Sequence, residues 1–390
     1  MNETRRRALF AARGADDAQA AELLAYGGGA FDLAGVPTPL TLPLADEPCV
    51  ATWEAYADEA RRDGAWPTLV RHLPRLRFPV CAGMSETDDY RAATLRGVDT
   101  TSLALASGLV LRQPESVTLD VHGTPAGRIA VIVATCRDDF ASLVQALIYR
   151  NEPREVPAAM GAAMVSGSNN WERVAAHRAA WSRRTGNAGG AAWRAEFARL
   201  RARPERYQDR FIVLQQGNYS AVGAADMGLS EQRWQAQSLR IRREHECAHY
   251  FTLRVLGAMH GHLLDELLAD YAGIVAAAGR YRADWFLRFL GLEDYPRYRR
   301  GGRLENYRGN PPLSDGAFRV LQAIACRAAG AVEAFDARHA EARSDPAGRA
   351  RMLLALAGLG LEALAAPDAV DRLEAAWQAH AVCWRDRSVA

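Results

Sequence analysis

Residues 230–257 read SEQRWQAQSLRIRREHECAHYFTLRVLG, and residues 263–279 read LLDELLADYAGIVAAAG. The first stretch carries no Pro or Gly until Gly257, opens on Ser230, a good N-cap, and reads as one long helix over 230–256. The short loop Ala258–His262 leads to a second helix over 263–278, ended by Gly279. Within the first helix lies His245-Glu-Cys-Ala-His249. Four residues are about 400° of helical rotation, so the two imidazoles stack on one face and can share one ion. The second helix offers Glu266 and Asp270, again four apart, and Gly273, which lets a partner helix approach closely.

These residue types specify a chemistry. Catalytic zinc takes three protein ligands and keeps one open position. His245, His249 and Glu266 supply the ligands, and Asp270 is placed to accept a hydrogen bond from His245, fixing its tautomer. Glu246 sits one residue round from His245, where it can reach a water and act as general base. His260 or His262 could stand as third ligand in place of Glu266. Cys247, about 200° from His245 on the helix, points away from the metal and reads as core packing.

The pattern His245-Glu246-x-x-His249 followed by Asp265-Glu266-x-x-Ala269-Asp270 resembles the gluzincin metallopeptidases, the thermolysin-like group. That resemblance covers residues 230–278 and implies zinc on His245, His249 and Glu266, Glu246 as base, Asp270 supporting a ligand histidine, and a peptide or small amide-containing substrate. The gap from His249 to Glu266 is shorter than in thermolysin, so the helix–loop–helix must be tight. Metzincins are excluded, because the positions three and six after His249 hold Thr252 and Val255. The run Arg242–Tyr250, together with Gly161–Trp171 upstream, resembles an uncharacterised bacterial domain-of-unknown-function family.

A zinc hydrolase also needs a donor for the developing oxyanion. His260, His262, Tyr307 and Arg303 are the candidates. Arg297, Arg299, Arg300, Arg303 and Arg308, interleaved with Tyr295, Tyr298 and Tyr307, read either as a clamp for a substrate carboxylate or as a solvated loop rich in ion pairs. Phe211–Gln216 is placed to serve as an edge strand along a substrate cleft, and Asn169, Asn170 and Asn218 offer amide contacts or turns.

Working outward, Val117–His122 and Arg128–Ala134 form a hairpin around the turn residues 123–127, and Asp138 or Asp139 caps a helix running to about Arg150. Met160–Ser166 is a strand ending at the polar patch 166–170, and a helix begins near Trp171. Helices follow near 314–342, 347–366 and 368–385. The expected fold is α+β: a mixed α/β N-terminal half with a small sheet, then a mostly helical C-terminal half with zincin-like active-site helices. The expected regions are 1–205, 206–310 (metal-binding) and 311–390.

Composition narrows the function. The 390 residues carry a net charge of +2 and no lysine, which removes Schiff-base and pyridoxal phosphate chemistry and the Walker A phosphate loop. Near-balanced charge argues against a nucleic-acid face, and no apolar run of about 18 residues suggests a membrane span. Arg5, Arg6 and Arg7 are followed by only a short apolar patch and then Asp16 and Asp17, so a cytoplasmic location is expected. Six scattered cysteines without C-x-x-C spacing fit neither a disulfide framework nor a cysteine zinc knuckle. Besides hydrolysis, two functions stay open: a metal-dependent lyase or condensing enzyme acting on a small molecule, and a metal-stabilised binding protein. The oligomeric state is also open.

Overall fold

A computed structural model describes residues 1–27, 31–259 and 262–385. The protein is α+β. Its chain forms two compact units: Met1–Leu44 with Asn218–Ala390, and Ala45–Gly217. The first unit begins with α1 (Glu3–Ala11), α2 (Asp17–Tyr26) and β1 (Leu40–Leu42).

The chain then builds the second unit: α3 (Val50–Asp63), α4 (Ala65–His72), α5 (Asp88–Arg96), β2 (Thr118–Thr124), β3 (Gly127–Ala134), α6 (Arg137–Leu147), β4 (Ala162–Asn169), α7 (Trp171–Thr185), α8 (Gly190–Arg201) and β5 (Gln208–Gln215). Four strands lie in the order β2-β3-β5-β4. β2 and β3 form the expected hairpin, pairing Thr124 with Gly127 across a two-residue turn. Asp139 does not cap α6; its carboxylate accepts from the backbone N–H groups of Arg112 and Gln113 at 2.6 and 2.9 Å. β4 runs through the polar patch to Asn169, with a register shift between Ser166 and Ser168 where Gly167 takes φ +75°.

β5 pairs parallel with β3 and antiparallel with β4, so it is an interior strand and not the edge strand expected from Phe211–Gln216. The reason is visible in its composition. Phe211, Ile212, Val213 and Leu214 are fully buried, as in strands covered on both faces. Trp53 and Tyr56 of α3 and Phe140, Leu143 and Val144 of α6 share one core with Ile132 and Phe211. Asn169 and Asn170 are used internally. Asn169 donates to the Thr94 carbonyl at 3.1 Å, and Asn170 caps α7 and donates to Asp209 at 2.8 Å.

His72 ties this unit together. Its Nδ1 lies 2.8 Å from Glu172, its Nε2 lies 2.8 Å from Glu59, and its ring stacks on Tyr56 at 3.9 Å. Burial pulls the imidazole pKa down, but the two carboxylates outweigh it and raise the value above 6.5. Both nitrogens donate only as imidazolium, so this stabilisation is complete below about pH 6.5 and is lost as pH rises through the raised folded-state value. Melting curves of wild type and His72→Gln between about pH 5 and 9 are therefore expected to differ most in acid and to converge in base; a gap that widens with pH would contradict the assignment.

The first unit resumes after Asn218 with α9 (Glu231–Val255), α10 (Leu263–Ala278), α11 (Ala283–Leu290), α12 (Asp315–Arg338), α13 (Pro346–Ala357), α14 (Leu361–Leu364), α15 (Ala369–Ala379) and β6 (Val382–Trp384). The Ser230 hydroxyl accepts from Arg233 N at the start of α9, and Gly257 and Gly279 take positive φ just past α9 and α10. Two expectations change here. The helix expected over 347–366 is broken around Gly358 and Gly360, poor helix formers. The last expected helix ends at Ala379, and β6 pairs parallel with β1. The expected boundaries at 205 and 310 also move. β5 carries the sheet to residue 215, and α12 and α13 pack on α10 and α11, so 311–390 does not stand alone. Among the described residues no helix is long and apolar enough to cross a membrane.

Candidate metal centre

α9 and α10 form an antiparallel pair held at close range by Gly273. A Cβ there would lie 2.7 Å from the Ile241 carbonyl, so only glycine admits the approach. The pair brings His245, His249 and Glu266 together, each less than a tenth exposed. The two Nε2 atoms are 3.1 Å apart. Glu266 places one oxygen 3.5 Å from His245 Nε2 and the other 3.6 Å from His249 Nε2. Ligand atoms held tetrahedrally about 2.0–2.2 Å from zinc lie about 3.3–3.6 Å apart, so the two Glu266 spacings fall in that range and the spacing between the imidazoles is slightly shorter.

The far side of each ring explains why these nitrogens converge. His245 Nδ1 lies 2.9 Å from Asp270 Oδ1, and His249 Nδ1 lies 3.3 Å from Asp265 Oδ1, an ion-pair contact rather than a well-aligned hydrogen bond. Thr252 also donates to that Asp265 oxygen, at 3.4 Å. A carboxylate only accepts, so His245 Nδ1 carries a hydrogen and Nε2 of the neutral ring is a bare lone pair, and the charge of Asp265 favours the same tautomer in His249. Two such lone pairs facing each other beside a carboxylate require a positive charge between them. Without a metal, a proton meets that need. Burial lowers the His249 pKa, but Asp265, Glu266 and Glu246 outweigh it and hold it up at about 9.

Asp270 is completely buried and anchors a second set of contacts. The Tyr219 hydroxyl donates to its Oδ1 at 2.6 Å and lies 2.9 Å from His245 Nδ1. Arg303 donates through Nη1 to the Tyr219 oxygen at 2.7 Å and through Nη2 to Asp270 Oδ2. Burial alone would raise the Asp270 pKa; Arg303, His245 and Tyr219 hold it below the ordinary carboxylate value. Burial is the main cause that pushes the Tyr219 hydroxyl far above its usual range, so it stays a donor. Tyr307, at the other end of the same short 3-10 turn (Arg303–Tyr307), is pushed up in pKa mainly by burial and also by the charge of Glu266. One five-residue turn thus bears on both the carboxylate behind His245 and that of Glu266.

The other sequence candidates fall as follows. Glu246 is half-buried on the same helix and is not one of the three converging donors, although its charge acts on His249. His262 precedes α10, its carbonyl accepts from Glu266 N at 3.3 Å, and its side chain lines a small apolar cavity with Phe10, Leu23 and Tyr26. His260 lies outside the described residues. Arg299 pairs with Glu293, and Arg308 with Glu305 and Asp315, as in a solvated loop. Cys247 is buried. The Asn218 carbonyl accepts from Arg242 at 3.3 Å.

Two residues of the centre escaped sequence reasoning. Asp265 stood in plain view beside Glu266, on a helix face that reaches His249. Tyr219 lies in an irregular segment where Ser220 and Ala221 take positive φ, and no periodicity points to it.

No curated protein and no solved structure matches this chain. A family model described as Family of unknown function (DUF7005) matches residues 8–368, in keeping with the resemblance read from Arg242–Tyr250 and Gly161–Trp171. The chain belongs to that family.

Proposed function

We propose that this protein is a zinc-dependent hydrolase that cleaves a peptide or small amide bond. The observation that carries this reading is the convergence of the two Nε2 atoms and the Glu266 carboxylate, with His245 Nδ1 hydrogen-bonded to Asp270 and His249 Nδ1 beside Asp265. The resemblance of His245–Asp270 to the gluzincins supports it. Three donors among the described residues leave a coordination position for water, which favours a reactive centre over a purely structural one.

Zinc bound there would supply a Lewis acid that brings the pKa of water toward about 7 and polarises a carbonyl. The chain's own groups do the rest. Asp270, fixed by Arg303 and Tyr219, holds His245 with Nε2 toward His249 and Glu266, the residues that would hold the ion with it. Asp265 does the same for His249. Glu246 takes the proton from the attacking water and delivers it to the leaving nitrogen.

A second reading has an observation of its own. The strand expected to align an extended peptide has both edges paired, with β3 and β4, and does not take that role, so a compact small-molecule substrate, cleaved by hydrolysis or by a lyase step, stays beside the peptide.

Metal analysis by mass spectrometry tests the common ground. About one zinc per chain is expected in the wild type and almost none in His249→Ala. No metal in the wild type, even after reconstitution, would end the proposal.

A further inference from the structure

Within the unit formed by Met1–Leu44 and Asn218–Ala390, a groove of about 1120 Å³ runs between α1, α12 and the segment leading into α15. It continues into a neighbouring hollow of about 550 Å³ that shares Arg13, Cys326, Arg327, Ala366 and Pro367. Neither contains a residue of the metal centre. The α12 wall is Ala323, Cys326, Arg327, Gly330, Ala331 and Ala334. These positions follow i, i+3, i+4, i+7, i+8 and i+11, so they form a single stripe about 16 Å long. Small side chains leave a trench there, which is apolar apart from Arg327.

Arg5, Arg13, Arg327 and Arg372 line the groove, and of these Arg13 and Arg327 also line the neighbouring hollow beside the small-residue stripe. Arg13 is fixed by donating to the carbonyls of Leu9 at 2.8 Å and Ala365 at 2.7 Å. Arg327 is exposed and faces the same groove. Among the described residues, neither forms an ion pair with a carboxylate. Arg372 and Asp368, further along, neutralise each other at 2.8 Å. Arg13 and Arg327 both line the groove and the neighbouring hollow, and burial and the charge of Arg327 lower the Arg13 pKa while Tyr295 raises it. A carboxylate between two guanidinium forks relieves that repulsion and forms charge-assisted hydrogen bonds with both.

We propose that this groove binds a single-chain acyl anion, with the carboxylate on Arg13 and Arg327 and the aliphatic tail along the small-residue face of α12. The head satisfies the unpaired cations, and the tail covers apolar surface otherwise left in water.

Calorimetric titration of the full chain with dodecanoate, below its micellar concentration and with a chelator present, tests this. The chelator removes any ion that could bind the carboxylate elsewhere. The expected result is saturable binding at about one molecule per chain. Affinity should fall about tenfold or more in Arg327→Glu and for uncharged dodecanol, because a charge-assisted contact is lost. Ala331→Glu should weaken dodecanoate comparably by blocking the tail. Both substitutions are at accessible positions, and circular dichroism verifies that the fold persists. No saturable binding of dodecanoate, or binding unchanged in Arg327→Glu and equalled by dodecanol, would overturn the proposal.

Discussion

Glu246→Gln is expected to keep its zinc and to lose turnover by about 10²–10⁴-fold. Glutamine has nearly the shape of glutamate but no basic oxygen, so it cannot take a proton from water. Metal content should hold, because the converging donors are His245, His249 and Glu266 and not Glu246. The measurement pairs zinc analysis with rates on a panel of peptides and small amides. Full activity with metal retained would remove Glu246 from the role of base. Loss of metal along with activity would mean that Glu246 is itself a ligand.

Arg303→Met should be the most destabilising single change at the centre. Asp270 is completely buried, and its charge is balanced by Arg303 and hydrogen-bonded by Tyr219 and His245. Removing one partner of a buried ion pair costs about 3–5 kcal/mol, because the remaining charge has no compensation. Urea unfolding of the metal-free protein reads this cost. Zinc affinity, measured by competition with a chelator, should fall about 10–100-fold, since His245 loses its fixed orientation. Adding Asp270→Asn to Arg303→Met removes the stranded charge and should recover stability without recovering affinity. A destabilisation under about 1 kcal/mol for Arg303→Met would show that Asp270 does not depend on this guanidinium.

The parts of the centre readable in the sequence share a cause. His245 with His249, and Glu266 with Asp270, are each four residues apart on one helix, so local periodicity alone puts them on common faces. Gly273 was readable for the same reason, as a small residue on the face where α9 and α10 meet. What the sequence did not disclose depends on long-range packing. Arg303 reads as an oxyanion or substrate-carboxylate candidate, or as one arginine in a solvated cluster, until the fold brings it to Asp270. Tyr219 is marked by no pattern in the sequence, and only the fold puts its hydroxyl between Asp270 and Arg303. Phe211–Leu214 has the unbroken apolar run of a strand buried on both faces, yet only its neighbours β3 and β4 show that it lies inside the sheet. The strands β1 and β6 are three residues each, too short for any alternation to announce them.

The pairing of β1 with β6 also orders events in time. The unit that carries His245, His249 and Glu266 takes its first part from Met1–Leu44 and the remainder from Asn218–Ala390, while Ala45–Gly217 is continuous in the chain. On a ribosome adding about 5–20 residues per second, Leu40 waits on the order of tens of seconds before its partner Val382 exists. The continuous unit can finish folding within that interval. A nascent chain halted after α10 therefore holds His245, His249 and Glu266 but neither Arg303 nor the strand that pairs with β1, so the three side chains reach their finished surroundings only late in synthesis.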